Sequence, residues 1–330
     1  MQSAAEINSA ADFVPNILLK TRKCYQETEK GCLEMAIRKN FSKKKLLTAG
    51  LLMLPATMLI VIYFIYPMIM TVFYAFTDMT LTGAAATNVN FVGIRNFKSI
   101  LADPKFPEIL KNTLFFLLFS GIIGQQFFGF FIAKLMKKKR ACIRKFTGFM
   151  VVLGWITPEI IAAYAFSAFF NDKGTLNMIV KLFGVEKISW TFTYPMLSIV
   201  IANIWKGSAY CMLMFQAALD GISDDIIESA KIEGARKWDI LRWIELPMIK
   251  GTTSTTFIMV TLGTLGTFGM IYAFTGGGPG IKTTTLSVYM YKQAFGAFQV
   301  GYGMAIALIL LSIGAIMSIA YMWIMKANKD

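Results

Sequence analysis

Six apolar stretches, at about 46–76, 113–135, 147–170, 194–219, 251–275 and 301–325, decide what this chain can fold into. Each is long enough to carry one helix across roughly 30 Å of hydrocarbon, where every backbone amide must be paired within its own segment. An all-α, polytopic membrane protein with six transmembrane helices is expected. Of 330 residues, 56% are hydrophobic and 16% charged, against about a quarter charged in a soluble domain. That balance excludes an ordinary cytosolic enzyme and a disordered scaffold. The chain has no His, and Cys24, Cys32, Cys142 and Cys211 show no CxxC spacing. Neither a zinc site nor a His-based triad has its raw material, so no catalytic residue, metal ligand or bound cofactor is expected.

Charge distribution orients the spans. Lys and Arg number 33 against 19 Asp and Glu, and nine of the basic residues precede the first span. Seven more lie between spans 2 and 3 (Lys134, Lys137, Lys138, Lys139, Arg140, Arg144, Lys145), five between spans 4 and 5, and two at the C-terminus. The alternate connections hold only four, three and one, with Lys206 and Lys292 left over inside or beside spans. Basic loops stay inside, which puts both termini in the cytoplasm. Residues 1–45 form a cytoplasmic N-terminal tail, 46–327 the membrane domain and 328–330 a short C-terminal tail. Because the basic residues are spread over several inner segments instead of one face, no nucleic-acid partner is expected. Trp190, Tyr194 and Tyr66 fall where an aromatic belt would place them.

The inner loop at 220–249 carries the most specific pattern. Ser223 is a good N-cap, and Asp224, Asp225 and Glu228 put negative charge on the first turns of a short helix. Ile226 and Ala230, one turn apart, form a small apolar ridge with Ile227 set round by one position. Gly234 permits a sharp change of direction, and Pro247 suits the first turn of the next element. The spacing is E-x-A-x-x-x-G-x(9)-I-x-L-P, with Glu228, Ala230, Gly234, Ile244, Leu246 and Pro247 in the fixed places.

On these residues the chain resembles the membrane subunits of bacterial ATP-binding-cassette importers, whose signature is E-A-A-x-x-x-G-x(9)-I-x-L-P. Ser229 replaces one alanine, and Glu233-Gly234-Ala235 stands for the usual Asp-Gly-Ala. The outer-loop Phe91-Val-Gly-Ile-Arg-Asn96-Phe97, the Asn203-Ile-Trp-Lys-Gly207 of span 4, and Thr275-Gly-Gly-Gly-Pro279 followed by Thr284, Thr285, Leu286, Tyr289 and Tyr291 are similar to the carbohydrate-importer permeases of the maltose type. The resemblance covers residues 45–327 and implies the type I ABC importer permease fold. It also implies partners: a second permease in a heterodimer, two ATP-binding subunits that hold the ATP and Mg, and an external solute-binding protein, with a carbohydrate as substrate. Glu228, Ser229, Ala230, Glu233, Gly234, Ile244, Leu246 and Pro247 are thereby the ATPase-coupling residues.

Two spans carry polar residues that need a reason, since such groups are costly in lipid. In span 4, Asn203, Lys206, Gly207 and Tyr210 fall at offsets that share one helical face. By resemblance these positions line the sugar path; alternatively Lys206 snorkels to the interface. In span 5, Thr264 and Thr267 match cavity positions of the family, and Phe268 and Tyr272 offer rings for a sugar to stack on; close helix packing explains the threonines equally well. Gly276–Thr283 imitates a phosphate loop, but Ile281 separates Gly280 from Lys282 and no strand precedes it. The outer Phe91–Phe97 segment is a docking surface or a cap over helix ends. A rival reading, a stand-alone secondary carrier or channel, needs an internal repeat and several buried ionisable groups, and the sequence offers neither.

Overall fold

A computed structural model describes residues 43–137 and 139–327. The expected tail at 1–45 lies almost wholly outside the described residues, as do Lys138 and the tail at 328–330. The described residues are helical with one isolated bridge, Thr77 to Phe91, and no strand. The chain divides into two compact units, 1–69 and 70–330. In the first, a helix from Lys43 to Ile60 runs on through Val61–Ile65. Its Leu52, Ile62 and Phe64 side chains are exposed, as expected of residues that meet lipid or another chain.

The helical run Gly50–Ala75 is α1, and a short α2 (Arg95–Ala102) follows. The further elements are α3 (Phe106–Met136), α4 (Ala141–Ile156), α5 (Glu159–Phe169), α6 (Thr175–Leu182), α7 (Pro195–Asp220) and α8 (Asp224–Ile232). Then come α9 (Lys250–Leu265), α10 (Gly269–Thr275), α11 (Leu286–Tyr291) and α12 (Val300–Ile324). Four of them cross a membrane by length and composition, and the pairs α4–α5 and α9–α10 raise the number to six.

Those two pairs correct the expectation of one continuous helix per span. Between α4 and α5 the axis bends by 103°. Pro158 cannot donate a hydrogen bond and forces Thr157 out of the helical region, to ψ 124°. Between α9 and α10 the bend is 43°, at a run containing Gly263, Gly266 and Gly269. The breaks meet: a Cβ on Gly269 would stand 3.0 Å from Glu159 Oε2. Starts also differ. α3 begins at Phe106, with Pro107 in the first turn and Glu108 favouring the N-terminal dipole, and α4 begins at Ala141 and takes in Arg144 and Lys145.

Three buried clusters hold the second unit together. One joins Phe116, Ala163, Ile199, Ile271 and Val288. Another joins Met136, Met212, Leu219, Ile227, Ile240 and Ile249, and a third Ala75, Ile100, Ile109, Leu286 and Ile306. Small residues bring α3 and α7 together: Cβ atoms on Gly124, Gly129 and Gly207 would meet Ile204, Cys211 and Gln125 within 2.1–2.3 Å. Close approach through glycine is the usual device in lipid, where burial of apolar surface drives no association.

The Phe91–Phe97 segment caps a helix. Asn96 Nδ2 donates to the Ala75 and Thr77 carbonyls at 2.9 and 2.8 Å, pairing the end of α1. Asp78 accepts from the Asn90 amide at 2.7 Å, which holds its carboxyl below the usual range. The glycine run at 276–280 follows helix α10 and closes on itself. Thr284 Oγ1 donates to Gly277 O and Thr283 Oγ1 to Gly278 O, both at 2.8 Å, and both threonines are buried.

Candidate functional site

The loop at 220–249 forms a helix where its residues favour one. Ser223 Oγ accepts from the Asp225 amide at 3.3 Å, and α8 is nine residues long. It ends at Gly234, whose φ of 87° belongs to the left-handed region. The Gly234 amide donates to Lys231 O at 3.0 Å and the Ala235 amide to Ala230 O at 2.9 Å, the paired bonds of a Schellman motif. No atom lies within 4 Å of a Cβ at Gly234, so conformation alone requires glycine there.

What α8 buries differs from the ridge expected. Ile227 is the buried residue, seated among Met136, Leu219, Ile240 and Ile249, with Ala230 and Ile244 half-buried beside it. Ile226 points outward. Glu228, Ser229 and Glu233 are exposed, as are large apolar groups at the end of α8 and in the segment after it: Ile232 is 87% exposed, Trp243 70% and Trp238 67%. Leu246 and Pro247 are exposed as well.

A residue passed over in the sequence fastens this loop. Glu245 fills a variable place of the frame, yet only 3% of its side chain is exposed. It pairs with Lys134 and lies 3.6 Å from Lys137, both at the end of α3. Lys137 Nζ is buried with no hydrogen-bond partner, so Glu245 is the anion that makes its burial tolerable. A carboxylate next to an apolar run, with lysines far off in sequence, gives no local signal of such a pairing. Arg144 likewise pairs with Asp220, tying the start of α4 to the end of α7.

The four polar positions of α7 do not form one open face. Asn203 is buried; its Nδ2 donates to Ser120 Oγ at 2.8 Å while its carbonyl accepts from Gln125 Nε2 at 3.2 Å. Gly207 is in contact with Gln125. Lys206 Nζ donates to the Thr157 carbonyl at 3.0 Å, and the Tyr210 ring lies 6.3 Å from that of Trp155. In α9 and just beyond, Thr264 is buried, with Oγ1 2.8 Å from a Cβ at Gly121, and Thr267 Oγ1 donates to Gly263 O at 3.1 Å.

Aromatic rings gather instead. Phe268 and Tyr272 lie with centroids 5.1 Å apart, and Tyr291 sits 4.5 Å from Phe268 and 5.1 Å from Tyr272. Phe295 extends the group at 5.2 Å from Tyr291. Tyr272 and Phe295 are exposed, so the four rings make an accessible platform. Tyr291 and Phe295 were missed as partners of the other two, although both pairs repeat at i, i+4. Beside them, burial pushes the Lys292 ammonium down from its ordinary value.

Four helices long and apolar enough to cross a membrane, with two bent pairs that raise the number to six, define a polytopic membrane protein. The chain belongs to the family described as binding-protein-dependent transport system inner membrane component, which matches residues 125–329, and it is a multi-pass permease subunit of an ABC importer. It is 34% identical over 266 residues to the multiple sugar-binding transport system permease protein MsmF of Streptococcus mutans, covering 78% of this chain and 88% of that one. It is 30% identical over 288 residues to the sulfoquinovosyl glycerol transport system permease protein SmoG of Agrobacterium fabrum, covering 86% and 92%. Its fold is similar to a chain in the crystal structure of a bacterial alginate ABC transporter in complex with alginate pentasaccharide-bound periplasmic protein. That match has a TM-score of 0.71 and 20% identity, and covers 84% of this chain and 93% of the other.

Proposed function

We propose that the solute is a sugar or oligosaccharide and that this chain supplies half of its path, driven by ATP-hydrolysing subunits that grip α8. The single observation that carries the reading is the two-sidedness of α8. Ile227 buries one side of it and Glu245 anchors the segment that follows, while Ile226 and Ile232 on the helix, and Trp238 and Trp243 after it, remain exposed. A rigidly held helix with an uncovered apolar side transmits displacement to α3, α7 and α9, which share its cluster. The signature residues Ser229, Ala230, Glu233, Gly234, Ile244, Leu246 and Pro247 shape and present it. Basic-loop bias puts this end in the cytoplasm, where ATP and Mg are held by the partner subunits.

Support for a sugar comes from the relatives that transport sugars and from the platform of Phe268, Tyr272, Tyr291 and Phe295, whose flat faces suit the apolar side of a pyranose. Lys206 and Tyr210 border the break between α4 and α5, while Asn203, Gly207, Thr264 and Thr267 hold the helices that frame the path. A second, non-identical permease and an external binding protein complete the assembly.

The test uses Ile232→Asp, because Ile232 touches little of its own chain. The variant is expected to insert normally and to lose both uptake and co-purification of the ATP-hydrolysing subunit. Unchanged co-purification with full uptake would overturn the reading. Ala230→Asp is a poorer choice, since Ala230 leans on the buried cluster.

A further inference from the structure

The short helix α2 lies across the ends of three spans. Its inner side is closed: Ile100 is fully buried, in one cluster with Ala75 from the last turn of α1, Phe106 from the first turn of α3 and Ile306 from the second turn of α12. Asn96 turns the same way, since its amide donates to the Ala75 and Thr77 carbonyls. The ends of spans mark the level of the membrane surface. α3 meets α2 at its start and, through Met136, the α8 cluster at its end, so α2 lies at the membrane face away from α8.

The two flanks of α2 differ. Arg95, Asn96 and Ser99 line a polar cavity of 350 Å³ with Gln299 and Tyr302. On the other flank stand Ile94 and Leu101, at i and i+7 and about a third of a turn from the Ile100 side. The Lys98 amide donates to the Ile94 carbonyl at 3.0 Å, which keeps Ile94 in the helical register. Ile94 is 57% exposed and Leu101 69%. Phe97, one turn before Leu101, meets the Phe76 ring, and Phe91, 73% exposed, stacks on that same ring. Val72 and Phe73 of α1, at i−4 and i−3 from Phe76, are exposed too, so the apolar surface continues from the span onto this flank of α2.

Charge decides what covers it. Lys98 falls between Ile94 and Leu101 on the side turned away from the span ends, and Lys105 follows just after the helix. Both are exposed, and among the described residues neither has a carboxylate within ion-pair distance. The centre of a protein interface is depleted in lysine. A lysine stem lying along Ile and Leu, with its ammonium above them, matches instead the boundary between acyl chains and phosphates. We infer that α2 is an interfacial anchor, with Phe91, Ile94 and Leu101 at the acyl boundary of the leaflet away from α8 and Lys98 on lipid phosphate. The anchor holds the joined ends of α1, α3 and α12 at one depth and leaves the polar flank to its cavity. It stands whichever solute the transporter carries.

The test uses the full transporter complex, with its external binding protein, in nanodiscs of equimolar phosphatidylethanolamine and phosphatidylglycerol. The photoreactive residue p-benzoylphenylalanine replaces Ile94, Leu101 or Ser99 one at a time, and mass spectrometry identifies what each captures on illumination. Lipid adducts are expected from positions 94 and 101 and not from 99, which faces the polar cavity. Capture of the second permease or the binding protein at 101, no lipid adduct at 94 and 101, or lipid at all three alike would each overturn the inference. A second measurement avoids the bulky probe. Leu101→Cys and Ala102→Cys are compared for reaction with a water-soluble maleimide in the same nanodiscs, read peptide by peptide so that the native cysteines do not interfere. Both positions are exposed in the protein, yet Ala102 lies on the outward side and Leu101 on the lipid flank. Several-fold slower reaction at 101 is expected, and equal rates would overturn the inference.

Discussion

Lys206 Nζ donates to the main-chain oxygen of Thr157 at 3.0 Å, across the break between α4 and α5. Pro158 ends the first helix there, and the second begins with Ala162 donating to Pro158 O, so the Thr157 carbonyl has no helical partner. A lysine inside a span is explained by a carbonyl that the bend leaves open.

Removing that donor should loosen the bend. Lys206→Met is expected to cost about 1 kcal/mol, with Lys206→Arg recovering most of it because a guanidinium also reaches the carbonyl. Thermal unfolding of the purified complex in detergent reads the difference; equal midpoints for wild type and Lys206→Met would show that the bond carries no weight.

Glu245 should matter more than its variable place in the frame suggests. Glu245→Ala leaves Lys134 and Lys137 facing each other with Lys137 buried, an expected loss of about 3–5 kcal/mol. Glu245→Gln keeps the shape and loses the charge, and is expected to fall between. Because the pair anchors the segment that follows α8 to the end of α3, the ATP-hydrolysing subunit should dissociate from Glu245→Ala at lower denaturant than from wild type. Size-exclusion profiles across a denaturant series measure this.

Two glycines of the spans should behave oppositely. A Cβ at Gly129 meets Cys211 Cβ at 2.3 Å and the Met212 amide nitrogen at 2.9 Å, whereas at Gly263 it meets nothing within 4 Å. Gly129→Ala is therefore expected to cost about 1–3 kcal/mol through forced separation of α3 and α7. Gly263→Ala should leave the thermal midpoint unchanged or raised. Comparable midpoints in the two variants would contradict the packing described.

On the aromatic platform, Tyr291→Ala removes the ring that touches Phe268, Tyr272 and Phe295. Sugar-stimulated uptake is expected to need about three- to ten-fold more substrate, with Tyr291→Phe close to wild type because the ring face remains. Co-purification of the ATP-hydrolysing subunit should not change. Parallel loss of uptake and of that association would assign the rings to assembly instead.

The apolar runs alone fixed the helical class and located the candidate spans, because lipid forbids unpaired backbone and so makes hydropathy nearly a structural statement. Local chemistry was equally readable around α8: the Ser223 cap, the Gly234 turn and the first-turn acids act within a few residues of one another. The breaks in spans 3 and 5 were not read there: one continuous helix was expected in each, and a lone Pro158 in an apolar run does not say that the axis turns by 103°. Tertiary structure alone decided which side of α8 is buried, since Ile226 and Ile227 are equivalent until a neighbour is supplied. It likewise sent Asn203 to Ser120, Lys206 to Thr157 and Glu245 to two lysines more than 100 residues away. Polar groups in a span take whichever partner the packing brings within 3 Å, and sequence spacing along one helix carries no information about the helix beside it.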